Sequence, residues 1–215
     1  MSKRGTMFVA IVESQQRQPA LWEPHAYQRA AASARLGDYV EVRNLRRLSD
    51  RLPSPFRPIE YSDISGGDHL TFTLDAKPQG ESAVRAVVVE QALLMGTMRA
   101  YLGNIIVTPR AAWLGRSSPL GFAVKSEFVQ LVPRDGLVYF WWAYVRSVSF
   151  LTKLPAGGGG TRPRLQPEVL AATGVRVVEL ERRAAINRQL ELCAAREWRE
   201  WLRRRAVIEA ARLTD

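Results

Sequence analysis

The chain has 215 residues, of which 47% are hydrophobic, so it can bury the core of one medium-sized domain and is not expected to be disordered. A single cysteine, Cys193, and two isolated histidines exclude a disulfide framework and a clustered metal site, and we expect neither a metal nor a cofactor. The 31 Lys and Arg residues outnumber the 21 acidic ones, and this surplus favours a polyanionic partner, although a GC-rich genome also raises arginine content.

The first 58 residues predict a mixture of short elements. Residues 28–36 predict a helix that ends at Gly37, and Tyr39, Val40 and Val42 suit a short strand after it. Three prolines between residues 49 and 58 predict a loop before the next region.

Residues 59–133 carry a pattern of short strands. Runs of β-branched or apolar residues predict strands at 84–90, 104–109 and 127–133, and residues 69–75 alternate partially. Glycines at turn positions separate these runs, and the last run is apolar on both faces, as a buried strand is. The irregular spacing predicts a compact, strongly bent sheet rather than a repeat array.

Residues 137–154 predict a buried helix, because apolar and aromatic side chains such as Trp141, Tyr144 and Val148 recur at helical spacing with little charge between them. The same aromatic residues could instead form a base-stacking platform. The low charge of the segment favours the core.

Residues 179–213 contain no glycine or proline and predict a helix about 45 Å long with an amphipathic stripe. A stripe of that length is too long for a small domain to bury alone, so we expect a second copy or a partner to cover part of it. Folding back along its own domain is the alternative. The predicted dimer or partner interface consists of Ile186, Leu190, Trp198, Trp201 and Leu202.

Four consecutive glycines, residues 157–160, precede Thr161, Arg162 and Arg164. Such a run can cradle a nucleotide phosphate, form a linker, or let the backbone approach a large anion. The Gly-Lys-Ser/Thr ending of a phosphate-binding loop is missing, which removes the first option. Pro167 and Glu168 then predict a helix start.

Signatures of catalysis are missing from the sequence. It contains no His-Glu-x-x-His and no Gly-x-Ser-x-Gly motif, and neither histidine stands near an obvious nucleophile. No apolar run approaches the ~20 residues of a membrane span, and the N-terminal apolar stretch is too short for a signal peptide. We therefore expect a cytoplasmic protein that is not an enzyme.

Four separated segments resemble one family in the right order. They are "IEYSDIS" (59–65), "ESAVRAVVVEQALLMGTMRAYLGNIIVTP" (81–109), "SSPLGFAVKSEFVQLVPRDGLVYFWWAYVRSVSF" (117–150) and the glycine stretch "LPAGGGGTRPRLQPEVL" (154–170). Together they are similar to the DNA-specificity subunits of type I restriction–modification systems. The residues at matching positions of the second segment are Ser82, Arg85, Leu93, Leu94, Arg99, Tyr101, Leu102 and Asn104.

The resemblance implies an α+β fold, with a compact bent β-sheet target-recognition domain, flanking helices and a long C-terminal helix. It implies a DNA-binding domain over residues 1–174 and a helix over 175–215 that supports a coiled-coil homodimer or partner docking. One domain and one helix correspond to half of the usual subunit. The implied partners are double-stranded DNA and an adenine DNA methyltransferase, with a restriction subunit as a further partner.

The resemblance also assigns DNA contacts. The residues predicted to contact DNA are Arg85, Arg99, Tyr101, Asn104, Thr161, Arg162 and Arg164. Additional phosphate contacts are predicted for Arg110, Arg116 and Lys125. For Arg99 and Tyr101 a purely structural role in a turn is an equal alternative. The family's Pro-Pro-Leu-x-Glu-Gln signature is absent, and Gln91-Ala92 and Ala100 replace its Gly-Asp and proline. These departures suit a second reading, a protein-interaction component of a defence system without DNA readout.

Overall fold

The computed structural model describes residues 34–45, 59–64, 70–73, 84–88, 90–115, 122–125, 127–155 and 164–212. Eight short strands are present in these ranges: β1 (Ala34–Arg35), β2 (Val40–Asn44), β3 (Val84–Val88), β4 (Leu93–Gly96), β5 (Ile105–Val107), β6 (Phe122–Lys125), β7 (Phe128–Pro133) and β8 (Gly174–Val175). The α-helices of the same ranges are α1 (Leu36–Tyr39), α2 (Ala111–Leu114), α3 (Val138–Arg146), α4 (Val148–Leu151), α5 (Pro167–Ala171) and α6 (Leu180–Arg212). Single 3-10 turns lie at Tyr61–Asp63 and Ala100–Leu102. The chain is therefore an α+β protein, as predicted.

A four-stranded antiparallel sheet in the order β2-β7-β4-β5 forms the centre of the fold. Every residue of β4 and β5 is buried, because consecutive side chains of a strand point to opposite faces and both faces are covered. Leu93 and Met95 face one apolar cluster, and Leu94 faces another. This double burial explains why the central strands lack the polar alternation of a half-exposed sheet.

Two-stranded antiparallel ribbons flank the sheet. β3 pairs with β6, and the register shifts between Val84 and Ala86, which places Arg85 at an irregularity of the ribbon. β1 pairs with β8 and ties the start of the described chain to the segment before α6. The predicted helix at 28–36 is replaced here by β1, and α1 begins only at Leu36; residues 28–33 lie outside the described part of the chain.

The predicted helix at 137–154 is present but broken. α3 ends before Ser147, whose backbone is extended, and α4 begins directly after it. The Ser147 hydroxyl donates to the Tyr144 carbonyl at 2.7 Å and accepts from Phe150 N at 3.3 Å, so one side chain ends one helix and caps the next. Tyr139, Phe140, Trp141 and Trp142 of α3 are buried against one face of the sheet, and Tyr144 is partly buried there. The core interpretation is confirmed for these aromatic residues and wrong for Val148, which is 77% exposed on α4.

α6 spans 33 residues, about 50 Å, within one residue of the prediction at each end. Its first two thirds lie on the domain, where Leu190 belongs to one apolar cluster and Trp198 to the other. Beyond Leu202 almost every residue whose burial is described is exposed. None of the helices in the described ranges combines the length and the apolar character that crossing a bilayer requires.

Candidate nucleic-acid interface

The loop between β4 and β5, residues 97–104, is a tightly wound turn that we call the β4–β5 tip. Arg99 has a left-handed backbone, with φ 47° and ψ 50°, and Gly103 is left-handed as well. Leu102 N donates to the Arg99 carbonyl at 2.8 Å, and Gly103 N donates to the Ala100 carbonyl at 3.0 Å. A non-glycine residue in this region costs on the order of 1 kcal/mol, and such strain is found most often at functional sites.

Tyr61 braces the tip from below. Its hydroxyl accepts from Met98 N at 3.1 Å and donates to the Glu127 carbonyl at 3.0 Å. Burial raises the pKa of Tyr61 to about 12, so the phenol keeps its proton and its donor role at neutral pH. The ring lies so close to Gly96 that a Cβ there would sit 2.1 Å from Tyr61 Cε1, and only glycine fits this position.

A second brace comes from the segment before α5. Met98 and Arg164 form an isolated antiparallel bridge, and Leu165 N donates to the Thr97 carbonyl at 2.9 Å. Leu165 itself is buried in the apolar cluster that contains α3. Two residues separated by 65 positions, Arg99 and Arg164, are therefore held within one residue of a shared backbone bridge.

Arg99 and Arg164 lie in the described structure without a negatively charged partner. Both are exposed, and neither forms an ion pair with a carboxylate in the part of the chain that the structure describes. The adjoining Tyr101 is 42% exposed. Asn104 closes the turn through its carbonyl, which accepts from Gly96 N at 2.8 Å. An arginine pair without a counter-charge, next to an exposed phenol, suits the binding of an anion such as a phosphate.

The tip contains three of the predicted DNA-contact residues, Arg99, Tyr101 and Asn104, and the bridge to Met98 adds Arg164, which we count with the tip from here on. Arg85 and Lys125 lie together on the β3–β6 ribbon, where Val84 pairs with Lys125 across the strands. Arg116, Thr161 and Arg162 fall outside the described residues. The glycine run at 157–160 also falls outside them.

Arg110 is placed differently from the prediction. It follows the end of β5 that is remote from the tip, forms an ion pair with Glu191 of α6 and lies over the Trp113 ring, with its guanidinium carbon 5.8 Å from the ring centre. The structure therefore gives Arg110 a contact that holds α6, and its phosphate contact stays a prediction.

The contacts that hold α6 on the domain form what we call the α6 joint. Asn187 Oδ1 accepts from Tyr139 N at 2.8 Å and from Phe140 N at 3.1 Å, so α6 caps the N-terminus of α3. Arg183 forms an ion pair with Asp135, and Glu197 accepts from Leu70 N at 2.9 Å.

The apolar part of the joint uses side chains that were predicted to bind another molecule. Trp198 is 1% exposed and meets Phe72 edge to face at 5.3 Å between ring centres, and Leu190 is buried too. Ile186 and Trp201 are partly buried and pack against the chain's own clusters. The intermolecular prediction is therefore wrong for Leu190 and Trp198, which the domain itself buries, and it stays a prediction for the partly exposed Ile186 and Trp201. Of the predicted interface, only Leu202 has no place in either cluster.

Sequence reasoning missed the residues that shape the tip. No local pattern marks Tyr61 as a brace, and none distinguishes Gly96 or Leu165 from other glycine and leucine residues. A hydrogen bond between residues 37 positions apart leaves no trace in local periodicity. A paired Tyr and Gly would become visible only as covarying positions.

No protein-family profile matches this chain, and no curated protein matches it. Among solved structures, the chain is similar to one from a study of complex assembly and conformational transition of the type I R-M system, with 20% identity and a TM-score of 0.47. The match covers 97% of this chain and 48% of that chain, so this chain spans about half the length of that neighbour.

Proposed function

We propose that this chain is a DNA-specificity subunit that binds a defined duplex sequence and directs a partner methyltransferase or restriction complex to it. The observation that carries the proposal is the β4–β5 tip, where Arg99 and Arg164 are exposed and lack a carboxylate partner in the described chain. The net charge of +10 gives the whole molecule the sign needed to attract a polyanion.

The chemistry of the tip suits both parts of DNA recognition. An arginine offers a planar fork that binds either a phosphate or the O6 and N7 atoms of guanine, and asparagine matches adenine in the same way. Arg99 is held in a fixed backbone conformation, which lowers the entropy lost when its side chain is placed on a base edge. In this proposal Arg99 and Asn104 read base edges, while Arg164 fixes the register on the backbone of the duplex.

The end of α6 supplies the surface for assembly. Val207 and Ile208 are exposed beyond the α6 joint, and Leu202 precedes them on the same helix. A second copy that pairs along these last turns would place two tips on one duplex and would predict a bipartite, palindromic site. The partner methyltransferase would then bind the assembled pair.

Selection from a randomised duplex pool tests the proposal directly. The full chain is incubated with the pool, bound DNA is sequenced, and the affinity of the recovered duplex is measured over a salt series. We expect one enriched motif and a slope of log affinity against log salt of about −0.9 for each phosphate neutralised. A scrambled duplex of equal length is the control for non-specific binding. Absence of enrichment together with a flat slope would overturn the proposal.

A second function, a protein-interaction component without DNA readout, is favoured by one observation. Leu102 and Val148 are exposed apolar side chains on elements that meet at the tip. If the chain captures one protein partner in stoichiometric amount, and Arg99→Ala with Arg164→Ala leaves that capture unchanged while no duplex binds, this second function replaces the first.

A further inference from the structure

The outer surface of the β4–β5 tip is apolar as well as cationic. Tyr101 and Leu102 are 42% and 59% exposed, and they occupy the 3-10 turn itself. α4 lies against this turn and carries Val148, which is 77% exposed. Single exposed apolar residues are common, but three on adjoining elements of a braced turn form a local apolar surface that a ligand can cover.

The charges around this surface identify the kind of ligand. Three segments form the outer part of this end of the molecule, namely residues 97–104, 146–153 and 164–166, and they contain four cations and no aspartate or glutamate. Arg146 and Lys153 donate to the carbonyls of Ile105 and Gly174, so Arg99 and Arg164 are the two cations that the tip offers a ligand, and Glu127 lies at its base. A protein partner would normally meet a rim with charges of both signs. Duplex DNA combines an anionic surface with an apolar base stack, and cations around a projecting apolar pair complement both.

We propose that Tyr101 and Leu102 form an apolar wedge that enters one base step of the bound duplex and unstacks it. This inference rests on the proposed function, since it assumes that the tip meets DNA, and it adds how the tip deforms the site. Leu102 and Tyr101 occupy the opened step together, while Arg164 neutralises a flanking phosphate. Flexible pyrimidine–purine steps are the expected points of entry.

A wedge must resist being pushed back, and the tip has the stiffness this requires. The carbonyl of Glu127 accepts three hydrogen bonds, from Thr97 N, Thr97 Oγ1 and the Tyr61 hydroxyl, at 2.7, 2.9 and 3.0 Å. Ala100, next to Tyr101, is buried in the core and anchors the base of the turn. On the other side, a Cβ added to Gly103 would lie 3.1 Å from Leu151 Cδ1, so α4 supports the turn directly.

Fluorescence of 2-aminopurine tests the wedge. The base is placed in turn at each adenine of the duplex recovered by selection, because its emission rises when it is unstacked. We expect a rise at one step with the unaltered chain, and its loss with Leu102→Ala, together with an affinity loss of about tenfold. Leu192→Ala is the matched control, since Leu192 is 63% exposed on α6 and remote from the tip. Equal thermal unfolding midpoints establish that both variants fold.

The outcomes separate this inference from the proposed function. If the selected duplex binds with full affinity and no 2-aminopurine position brightens, the wedge is overturned while sequence-specific binding stands. If no duplex is selected at all, both fall. If Leu102→Ala leaves DNA binding and emission unchanged but abolishes binding to a captured protein, the apolar surface belongs to that protein. Brightening that is lost in Leu102→Ala, and also weakened in Tyr101→Ala, supports the wedge.

Discussion

Arginine side chains occupy two contrasting settings in this chain, the α6 joint and the β4–β5 tip. In the joint, Arg183 is ion-paired with Asp135 and Arg110 with Glu191. In the tip, Arg99 and Arg164 face solvent without a carboxylate partner among the described residues. Identical residue types therefore have different uses, and the local counter-charge distinguishes them. An arginine that already pairs with a carboxylate within the fold gains less from binding a phosphate.

The two regions also differ in what holds them. The joint combines buried aromatic contacts with polar bonds between elements, so its loss should be seen in the free energy of unfolding. The tip projects from the sheet on backbone hydrogen bonds and on the Tyr61 hydroxyl, so its side chains should matter mainly for binding. Substitutions in either region that change the free energy of unfolding and the DNA affinity by similar amounts would contradict this distinction.

Replacing Trp198 with alanine should have the largest effect. The ring is fully buried between Phe72 and Trp201, so its removal should lower the free energy of unfolding by about 3–5 kcal/mol, measured by urea denaturation. Leu192→Ala on the exposed side of α6 is the control and should change it by less than about 0.5 kcal/mol. A loss under about 1 kcal/mol for Trp198→Ala would mean that α6 does not rest on the domain in solution.

The double substitution of Arg99 and Arg164 with alanine should lower DNA affinity by on the order of 100-fold at ~0.1 M salt, since each charged hydrogen bond contributes about 1.5 kcal/mol. The free energy of unfolding should stay nearly constant, because alanine keeps the Cβ that makes the left-handed backbone of residue 99 unfavourable. The same double substitution at the exposed Arg188 and Arg196 of α6, which lie before the proposed dimer surface, is the control for net charge. Equal losses of DNA affinity in the two double variants would show that binding depends on the total charge and not on the tip.

Asn187→Ala should lower the free energy of unfolding by about 1–2 kcal/mol, because it leaves the amides of Tyr139 and Phe140 without their acceptor at the start of α3. Asn187→Asp keeps an acceptor oxygen and should retain most of the stability. Thermal or urea unfolding of the two variants measures the difference. If the alanine and aspartate variants behave alike, the cap does not contribute to the joint.

Tyr61→Phe should lower the free energy of unfolding by about 1 kcal/mol and weaken DNA binding modestly, because Met98 N and the Glu127 carbonyl lose their shared partner. The pH dependence gives an independent check. The pKa of Tyr61 is raised to about 12 by burial, whereas the unfolded chain titrates near 10, so the stabilisation present below about pH 10 is lost as the pH rises towards 12. Between pH 9 and 11, the free energy of unfolding measured with urea should fall more steeply for the unaltered chain than for Tyr61→Phe. Parallel curves would contradict a buried, bonded hydroxyl.

Sequence reasoning succeeded where structure is local and periodic. The absence of glycine and proline from 179–213 predicted α6 almost to the residue, and the β-branched runs predicted β3, β5 and β7. Sequence reasoning failed where contacts between residues far apart in the chain determine the structure. The stripe on α6 indicated an apolar partner but not whether that partner was another molecule or the domain itself. The left-handed backbone of Arg99 likewise depends on braces from Tyr61 and Leu165, which no local pattern shows.

The ion pair between Arg110 and Glu191 should have the smallest effect, and it tests the counter-charge argument itself. The Arg110 side chain is 44% exposed, so solvent screens the pair, and a double-mutant cycle of Arg110→Ala and Glu191→Ala should give a coupling of about 0.5 kcal/mol that shrinks with added salt.

Glu191→Ala alone should also change DNA binding. It frees an exposed guanidinium at the joint, and if a missing counter-charge is what makes an arginine bind DNA, it should raise non-specific duplex affinity slightly. Glu181→Ala, which removes an exposed charge at the start of α6, controls for net charge. Equal affinities of the two variants would show that position on the β4–β5 tip, rather than the absence of a carboxylate, gives Arg99 and Arg164 their role.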